Sequence, residues 1–216
     1  MRLRNIRGAE EKIATSEFVV QNPTEMKYKW KECFGNDKPI HIEIGMGKGQ
    51  FLHTMAKENP DINYVGVEMY SSVLLRAVQR MESDEVENLK FICIDAKEVA
   101  EVFGEGEVDK IYLNFSDPWP KDRHAKRRLP SRHFLAKYDV ILKKDGFLEF
   151  KTDNRGLFDF SLEEREAAGW ELLLCTFNLH KDAKLMEDNI MTEYERKFSK
   201  LNNPIHKMVI RREKKS

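Results

Sequence analysis

From Pro39 onward the chain alternates between two hydrophobic periods. Ile40 to Ile44 is a short apolar-rich run ending at Gly45 and predicts a strand. Gln50 to Lys57 predicts a helix, Asn63 to Glu68 a strand and Ser71 to Met81 a second helix. Leu89 to Ile94 predicts a third strand, followed by a short helix near Lys97 to Phe103 and a strand over Asp109 to Phe115. A Pro-rich basic segment then runs to Pro130, and Ser131 stands where it can cap a helix through Leu142. Lys144-Asp145-Gly146 reads as a turn into the strand Phe147 to Lys151. Leu157 to Ala168 is helical with Gly169 as its stop, and Glu171 to Phe177 is a strand.

Strands alternating with helices imply βαβ units, hence an α/β protein with a mainly parallel sheet and helices on both faces. The end of the chain departs from this rhythm. Tyr194 to Phe198 and Lys207 to Ile210 read as strands around a loop at Leu201 to Pro204. With no helix between them they predict an antiparallel hairpin at the sheet's far edge. The opening Met1 to Gly8 is basic and aperiodic and reads as a mobile arm. The domain reading is therefore a basic arm and leading segment over residues 1–38 and one α/β domain over 39–216.

Length and composition allow this reading without adding to it. A chain of 216 residues can bury a core without staples. Lys plus Arg equals Asp plus Glu, at 37 each, so net charge identifies no partner and the distribution must. Cys33, Cys93 and Cys175 are far apart, with no C-x-x-C spacing, which argues against a disulfide framework or a zinc site. Cys93 and Cys175 follow apolar runs and read as buried free thiols, as expected in a reducing cytosol. The histidines show no metal spacing. The N-terminal residues do not resemble a signal peptide, no apolar run approaches a membrane span, and the expectation is a cytoplasmic protein.

Two constellations carry chemistry. In the first, strand Ile40 to Ile44 runs into Glu43-Ile44-Gly45-Met46-Gly47-Lys48-Gly49, a strand, a glycine turn and a helix. Glycines there let a ligand approach the backbone closely. Glu68 ends the second strand, where a carboxylate can accept from both ribose hydroxyls, and Asp95 after the third can reach an adenine edge. A nicotinamide dinucleotide site expects G-x-G-x-x-G, whereas Gly45, Gly47 and Gly49 give G-x-G-x-G. Glu43 beside a pyrophosphate would be repulsive. The acids Glu43, Glu68, Asp95 and Asp117 favour instead a ligand carrying an ammonium and a sulfonium, namely S-adenosylmethionine. Taken alone, strand-end glycines and acids also suit plain turns and caps.

In the second, Asn114-Phe115-Ser116-Asp117-Pro118-Trp119-Pro120 follows the fourth strand, where open parallel sheets bind ligands. Pro118 and Pro120 stiffen the loop around Asp117 and Trp119. The basic run Lys121, Arg123, His124, Lys126, Arg127, Arg128 comes next and can attract phosphates. Arg2, Arg4 and Arg7 at one end and Lys207, Arg211, Arg212, Lys214 and Lys215 at the other could extend that surface. Asp153 ends the fifth strand and points at the same rim. Thr192 to Phe198, read on its own, is a charged, solvated strand with Tyr194 and Phe198 inward.

Together these residues resemble the bacterial tRNA (guanine-N7)-methyltransferase family, a branch of the Rossmann-like methyltransferases that use S-adenosylmethionine. The resemblance lies in E-I-G-M-G-K-G at Glu43 to Gly49, N-Y-V-G-V-E at Asn63 to Glu68, and F-S-D-P-W-P-K-D-R-H-A-K-R-R at Phe115 to Arg128. K-T-D-N at Lys151 to Asn154 and T-E-Y-E-R-K-F at Thr192 to Phe198 complete it. It spans nearly the whole chain, and the D-P-W-P-K block is its most specific part. It implies a Rossmann-like methyltransferase fold and methyl transfer to N7 of a guanine in the tRNA variable loop, leaving S-adenosylhomocysteine. It further implies that Glu43, Gly45, Gly47, Gly49, Glu68, Asp95 and Asp117 contact the cofactor, with Asp117 catalytic. Lys121, Asp153, Thr192, Glu193, Tyr194 and Glu195 would hold the guanosine, and Arg123, His124, Lys126, Arg127 and Arg128 would touch RNA. No metal and no membrane are implied, and the chain would act as a monomer or homodimer. Asp122 stands where a second basic residue is common, and Asn202 where a glycine often follows the tail strand; Asn tolerates the left-handed region. The competing readings are a methyltransferase acting on a small molecule, an idle tRNA-binding module and, disfavoured by Glu43 and the glycine spacing, a nicotinamide oxidoreductase.

Overall fold

The computed structural model describes residues 6–212. Its seven strands form one sheet: β1 (Ile40–Ile44), β2 (Asn63–Glu68), β3 (Leu89–Cys93), β4 (Val108–Asn114), β5 (Leu142–Thr152), β6 (Trp170–Thr176) and β7 (His206–Arg212). Their spatial order is β3-β2-β1-β4-β5-β7-β6. Strands β3, β2, β1, β4 and β5 run parallel, and β7 pairs antiparallel with both β5 and β6. The order reverses between β1 and β4, so a cleft opens beyond their carboxyl ends.

Helices α1 (Ala9–Ala14), α2 (Trp30–Phe34), α3 (Gln50–Glu58), α4 (Ser71–Ser83), α5 (Val99–Val102), α6 (Arg132–Ile141) and α7 (Arg155–Ala167) flank the sheet, and α8 (Ala183–Glu187) and α9 (Glu193–Ser199) interrupt the passage from β6 to β7. One core cluster joins Ile42, Ile111, Leu113, Leu148 and Phe150 of the sheet to Phe134, Tyr138 and Phe158 of α6 and α7. A second, on the other face, joins Tyr64, Phe91 and Tyr112 to Phe51, Leu52, Leu74 and Val78 of α3 and α4. The leading segment packs into both. Val19 bridges Phe91 in parallel, and fully buried Trp30 stacks on Phe103 at 5.0 Å while its indole N–H donates to the Val102 carbonyl. Met1 to Asn5 of the expected arm lie outside the described residues. Among the described residues no helix is long and apolar enough to cross a membrane.

Several local expectations are corrected. Lys144 to Gly146 form no turn between elements but lie inside β5, whose register against β4 jumps from Val108↔Leu142 to Lys110↔Phe147. Ser131 precedes α6 but makes no capping bond; the Arg132 N–H at the helix start donates instead to the Glu164 carboxylate of α7 at 2.6 Å. A carboxylate at a helix N-terminus satisfies an orphan amide and complements the macrodipole. Finally, Tyr194 to Phe198 lie in helix α9, not a strand. Thr192 caps it by accepting from the Glu195 N–H at 2.9 Å, and a residue with that local option competes well against an extended strand. The antiparallel partner of β7 is therefore β6, and β7 is inserted next to β5 rather than appended at the edge. Asn202 does take the left-handed conformation, at φ 58°. Cys175 is exposed and Cys93 half-buried, so neither thiol is the buried group its apolar neighbours suggest.

Candidate active site

The first half of the site is assembled at the carboxyl ends of β1 and β2. Glu43 is buried on β1, where Asn114, at the end of the neighbouring β4, donates from Nδ2 to its Oε1 at 2.8 Å. The other oxygen, Oε2, is buried with no hydrogen-bond partner among the described residues. Burial pushes the Glu43 carboxyl up to about 8, against the Asn114 bond and the Lys151 charge and with the help of Glu68. At neutral pH the group is thus mostly protonated in the free protein, and the acidic ring carries less charge than four carboxylates imply.

Glu68 ends β2 and folds back over the glycine turn. It accepts from the Gly47 N–H at 3.1 Å and from the Tyr70 N–H at 3.0 Å. Burial pushes the Glu68 carboxyl above its ordinary value as well; the backbone donors oppose this and the nearby Asp117 charge adds to it. Asp95 follows β3, caps the next turn by accepting from Lys97 N–H at 3.0 Å, and pairs with the Lys97 ammonium. The three glycines are not equivalent. Gly45 and Gly47 take positive φ at the cleft, and a side chain on Gly47 would meet nothing within 4 Å. A Cβ on Gly49 would lie 2.8 Å from the Ala77 Cβ, so Gly49 lets α3 and α4 approach one another. Met69 and Tyr70, directly after Glu68, each expose about half of their surface (50% and 51%) and form an apolar rim that hydrophobic periodicity had not singled out.

This half fits a nucleoside-bearing cation by its own geometry. Once ionised, the buried, unpartnered oxygen of Glu43 needs a donor or a positive charge. Open space in front of Gly47 admits a ligand against the backbone, and Glu68 has oxygen lone pairs left for a diol.

The second half is the loop after β4. Phe115 and Trp119 are non-glycine residues with φ 51° and 42°, a conformation that costs about 1–3 kcal/mol each and persists only when its surroundings impose it. The surroundings are visible. Phe115 N–H donates to the Lys151 carbonyl at 2.8 Å. The Arg128 guanidinium donates from Nε to the Pro118 carbonyl at 3.0 Å and from Nη2 to the Trp119 carbonyl at 3.1 Å, and lies 4.4 Å over the Phe160 ring. Arg128 thus pins the loop. Arg127 lies 5.1 Å over the Trp119 ring, and His124 packs edge-on to the same ring. Asp117, Lys121, Arg123, Lys126 and Arg127 are exposed. The tail cations do not join them: Lys207, Arg211 and Arg212 pair with Glu149, Glu171 and Asp139, while Arg2, Arg4, Lys214 and Lys215 lie outside the described residues.

Helix α9 closes the third side. Tyr194, 51% exposed, lies 5.5 Å from Phe115 and stacks on Phe198 at 4.6 Å. Glu193 pairs with Lys48 of the glycine turn and Arg80 of α4. Thr192 and Glu195 are buried, and Glu195 meets Lys151 at 2.9 Å in an ion pair that is 1% and 0% exposed. His180 and Asn189 also bond Glu195, at 2.9 and 2.7 Å. Burial pushes the Glu195 carboxyl up, but the Lys151 ammonium and these bonds outweigh it and hold it below its ordinary value. Removing one partner of such a buried pair costs about 3–5 kcal/mol. Asp153 stands half-buried just past β5 on the same rim. Asn114, Phe115 and Lys151 lie in segments that the sequence singles out but that gave them no role of their own, and His180 lies outside those segments, with no signal in the sequence to mark it. Among the described residues no three His, Cys, Asp or Glu side chains are grouped to hold a metal ion.

Residues 37–208 match the family described as putative methyltransferase. A tRNA (guanine-N(7)-)-methyltransferase of Lachnoclostridium phytofermentans is 59% identical over 214 residues, covering 99% of this chain and 100% of that protein. One from Bacillus subtilis is 50% identical, covering 96% of this chain and 97% of its own length. Among solved structures, a 16S rRNA (adenine(1408)-N(1))-methyltransferase of Catenulisporales acidiphilia with cosubstrate SAM superposes with a TM-score of 0.59 at 12% identity, over 90% of this chain and 93% of that one. That likeness shows the shared Rossmann-like fold. On the strength of its near full-length relatives, the chain belongs to the tRNA (guanine-N(7)-)-methyltransferase family.

Proposed function

We propose that this protein transfers a methyl group from S-adenosylmethionine to N7 of a guanine in the variable loop of tRNA. The observation that carries the reading is the meeting, in one cleft, of an unpartnered buried carboxylate oxygen on Glu43, an open positive-φ glycine turn and an exposed cationic loop. The near full-length relatives of that name support the choice of target.

Glu68 would hold the ribose hydroxyls, Asp95 the adenine edge, Met69 and Tyr70 its faces, and Glu43 the ammonium end. When bound, the donor supplies an electrophilic methyl on a sulfonium. Guanine N7 carries an in-plane lone pair and no proton, so the protein needs no strong base. What it must provide is alignment and exclusion of water. Asp117 orients the base and stabilises positive charge as it passes to the purine, since fixed carboxylates serve a migrating cation throughout. Tyr194 and Phe115 offer aromatic faces to the base, with Lys121, Asp153 and the Thr192–Glu195 segment around it. Arg123, His124, Lys126 and Arg127 receive phosphates. Incubating the protein with a labelled methyl donor and bulk tRNA, then mapping the modified nucleoside, tests this. N7-methylguanosine at one variable-loop position is expected, and a different product or none would overturn it.

A further inference from the structure

The segment that closes the cleft has little to stand on by itself. Helices α8 and α9 span five and seven residues, far below the length at which an isolated helix holds in water. Exposed pairs from Glu193 to Lys48 and Arg80 contribute little in water. The buried polar tie comes from the sheet. The Lys151 ammonium donates to Asn189 Oδ1 at 3.2 Å, to the Ile190 carbonyl at 3.1 Å and to Glu195 Oε2 at 2.9 Å. One side chain thus grips the segment at both ends of the stretch that contains Thr192 and Glu193. The same ammonium lies 5.3 Å over the Phe51 ring of α3, the helix that begins at the glycine turn. Its charge also reaches Glu43.

We infer that Lys151 is a positioning residue that fastens the guanosine-holding segment 189–195 to the floor of the cofactor cleft. This rests on the reading of Thr192 to Glu195 as the guanosine-holding segment. Lys151 touches neither reactant; it acts by fixing Glu195, Asn189 and Ile190, and through them Tyr194 opposite Phe115. His180 completes the network from the far side by sharing Glu195 Oε1 with Asn189. The arrangement makes the order of the substrate side depend on β5 of the central sheet.

Two readouts test this, one of them independent of turnover. In hydrogen exchange, amides of residues 189–199 in Lys151→Met should exchange at least tenfold faster than in the unaltered protein, while those of β1 and β2 keep their protection. Unchanged protection over 189–199 would overturn the inference, as would an equal loss in β1 and β2. In kinetics at saturating methyl donor, kcat/KM for tRNA should fall at least ten times further than the affinity for S-adenosylhomocysteine, and Lys151→Arg should recover part of it. A merely structural role would lower both in step with the folded fraction, and that result sinks the idea. Should Lys151→Met fail to fold, Asn189→Ala decides: a threefold or greater loss in kcat/KM for tRNA supports the role, and a smaller one overturns it. If the unaltered protein makes no N7-methylguanosine yet residues 189–199 loosen as described, the functional reading fails while the fastening of that segment by Lys151 stands.

Discussion

The two sides of the cleft are built by different means. The cofactor side consists of strand ends, backbone amides and buried acids: Gly47 and Tyr70 donate to Glu68, and Asn114 to Glu43. The substrate side consists of a strained loop and two short helices tied down by charged side chains, Arg128 to the carbonyls of Pro118 and Trp119, and Lys151 to Glu195. A backbone-built half is rigid whether or not a ligand is present, because the sheet fixes it. A half held by side-chain ties sits nearer the low end of local stability, and such elements are the ones that adjust when a large partner docks. The contrast predicts that alterations on the first side change affinity for the donor, and those on the second change turnover and tRNA binding.

The largest effect should come from Asp117, where the sides meet. Asp117→Ala should lower kcat by about 100-fold or more, the scale of losing an oriented charge at a reacting centre. Full activity in that variant would remove Asp117 from the chemistry.

Next comes the proton on Glu43. Burial raises its folded carboxyl from 4.5 to about 8, so the free protein binds a proton there that the unfolded chain has already lost. The resulting stability is present below the unfolded value and is lost as pH rises through about 8. Glu43→Gln should therefore flatten the fall in melting temperature across that window. A cation settling beside Glu43 favours its ionised form, so binding S-adenosylmethionine should expel a proton. Affinity should then rise by up to about tenfold per pH unit below the folded value. Calorimetry at neutral pH in two buffers of different ionisation enthalpy reads the released proton directly; no release would mean that Glu43 does not face the cation.

The same contrast explains what the sequence disclosed. Elements of the cofactor side follow from local rules, and β1, β2 and α4 start where hydrophobic period and glycine placement put them. The acids at those strand ends are neighbours in space because parallel strands align their carboxyl ends. On the substrate side, local rules mislead. Thr192 to Phe198 alternates well enough for a strand, but the Thr192 cap and the buried seat of Glu195 on Lys151 select a helix. That seat is built from residues 44 positions apart, and no periodicity reports it. Ser131 looked like the cap of α6, yet Glu164, 32 positions from Arg132, takes that place. Bonds within one loop also separate two adjacent arginines that composition treats as one basic patch.

That pair gives the smallest and sharpest test. Arg128 spends its donors on the carbonyls of Pro118 and Trp119, so its positive charge serves the loop that carries Asp117. Arg128→Ala should release the strained Trp119 backbone and lower kcat about tenfold, the order of one charged hydrogen bond. The salt dependence of tRNA binding should stay as it was. Arg127 has no such duty; it is exposed and rests on the Trp119 ring. Arg127→Ala should leave kcat nearly intact and weaken tRNA binding only a few-fold. The slope of log affinity against log salt should shrink by about 0.7–0.9, the value of one phosphate contact. Filter binding across a salt series distinguishes the two. If both variants changed the slope alike, the loop would be a uniform electrostatic surface, and the division of labour between the neighbouring arginines would have to be abandoned.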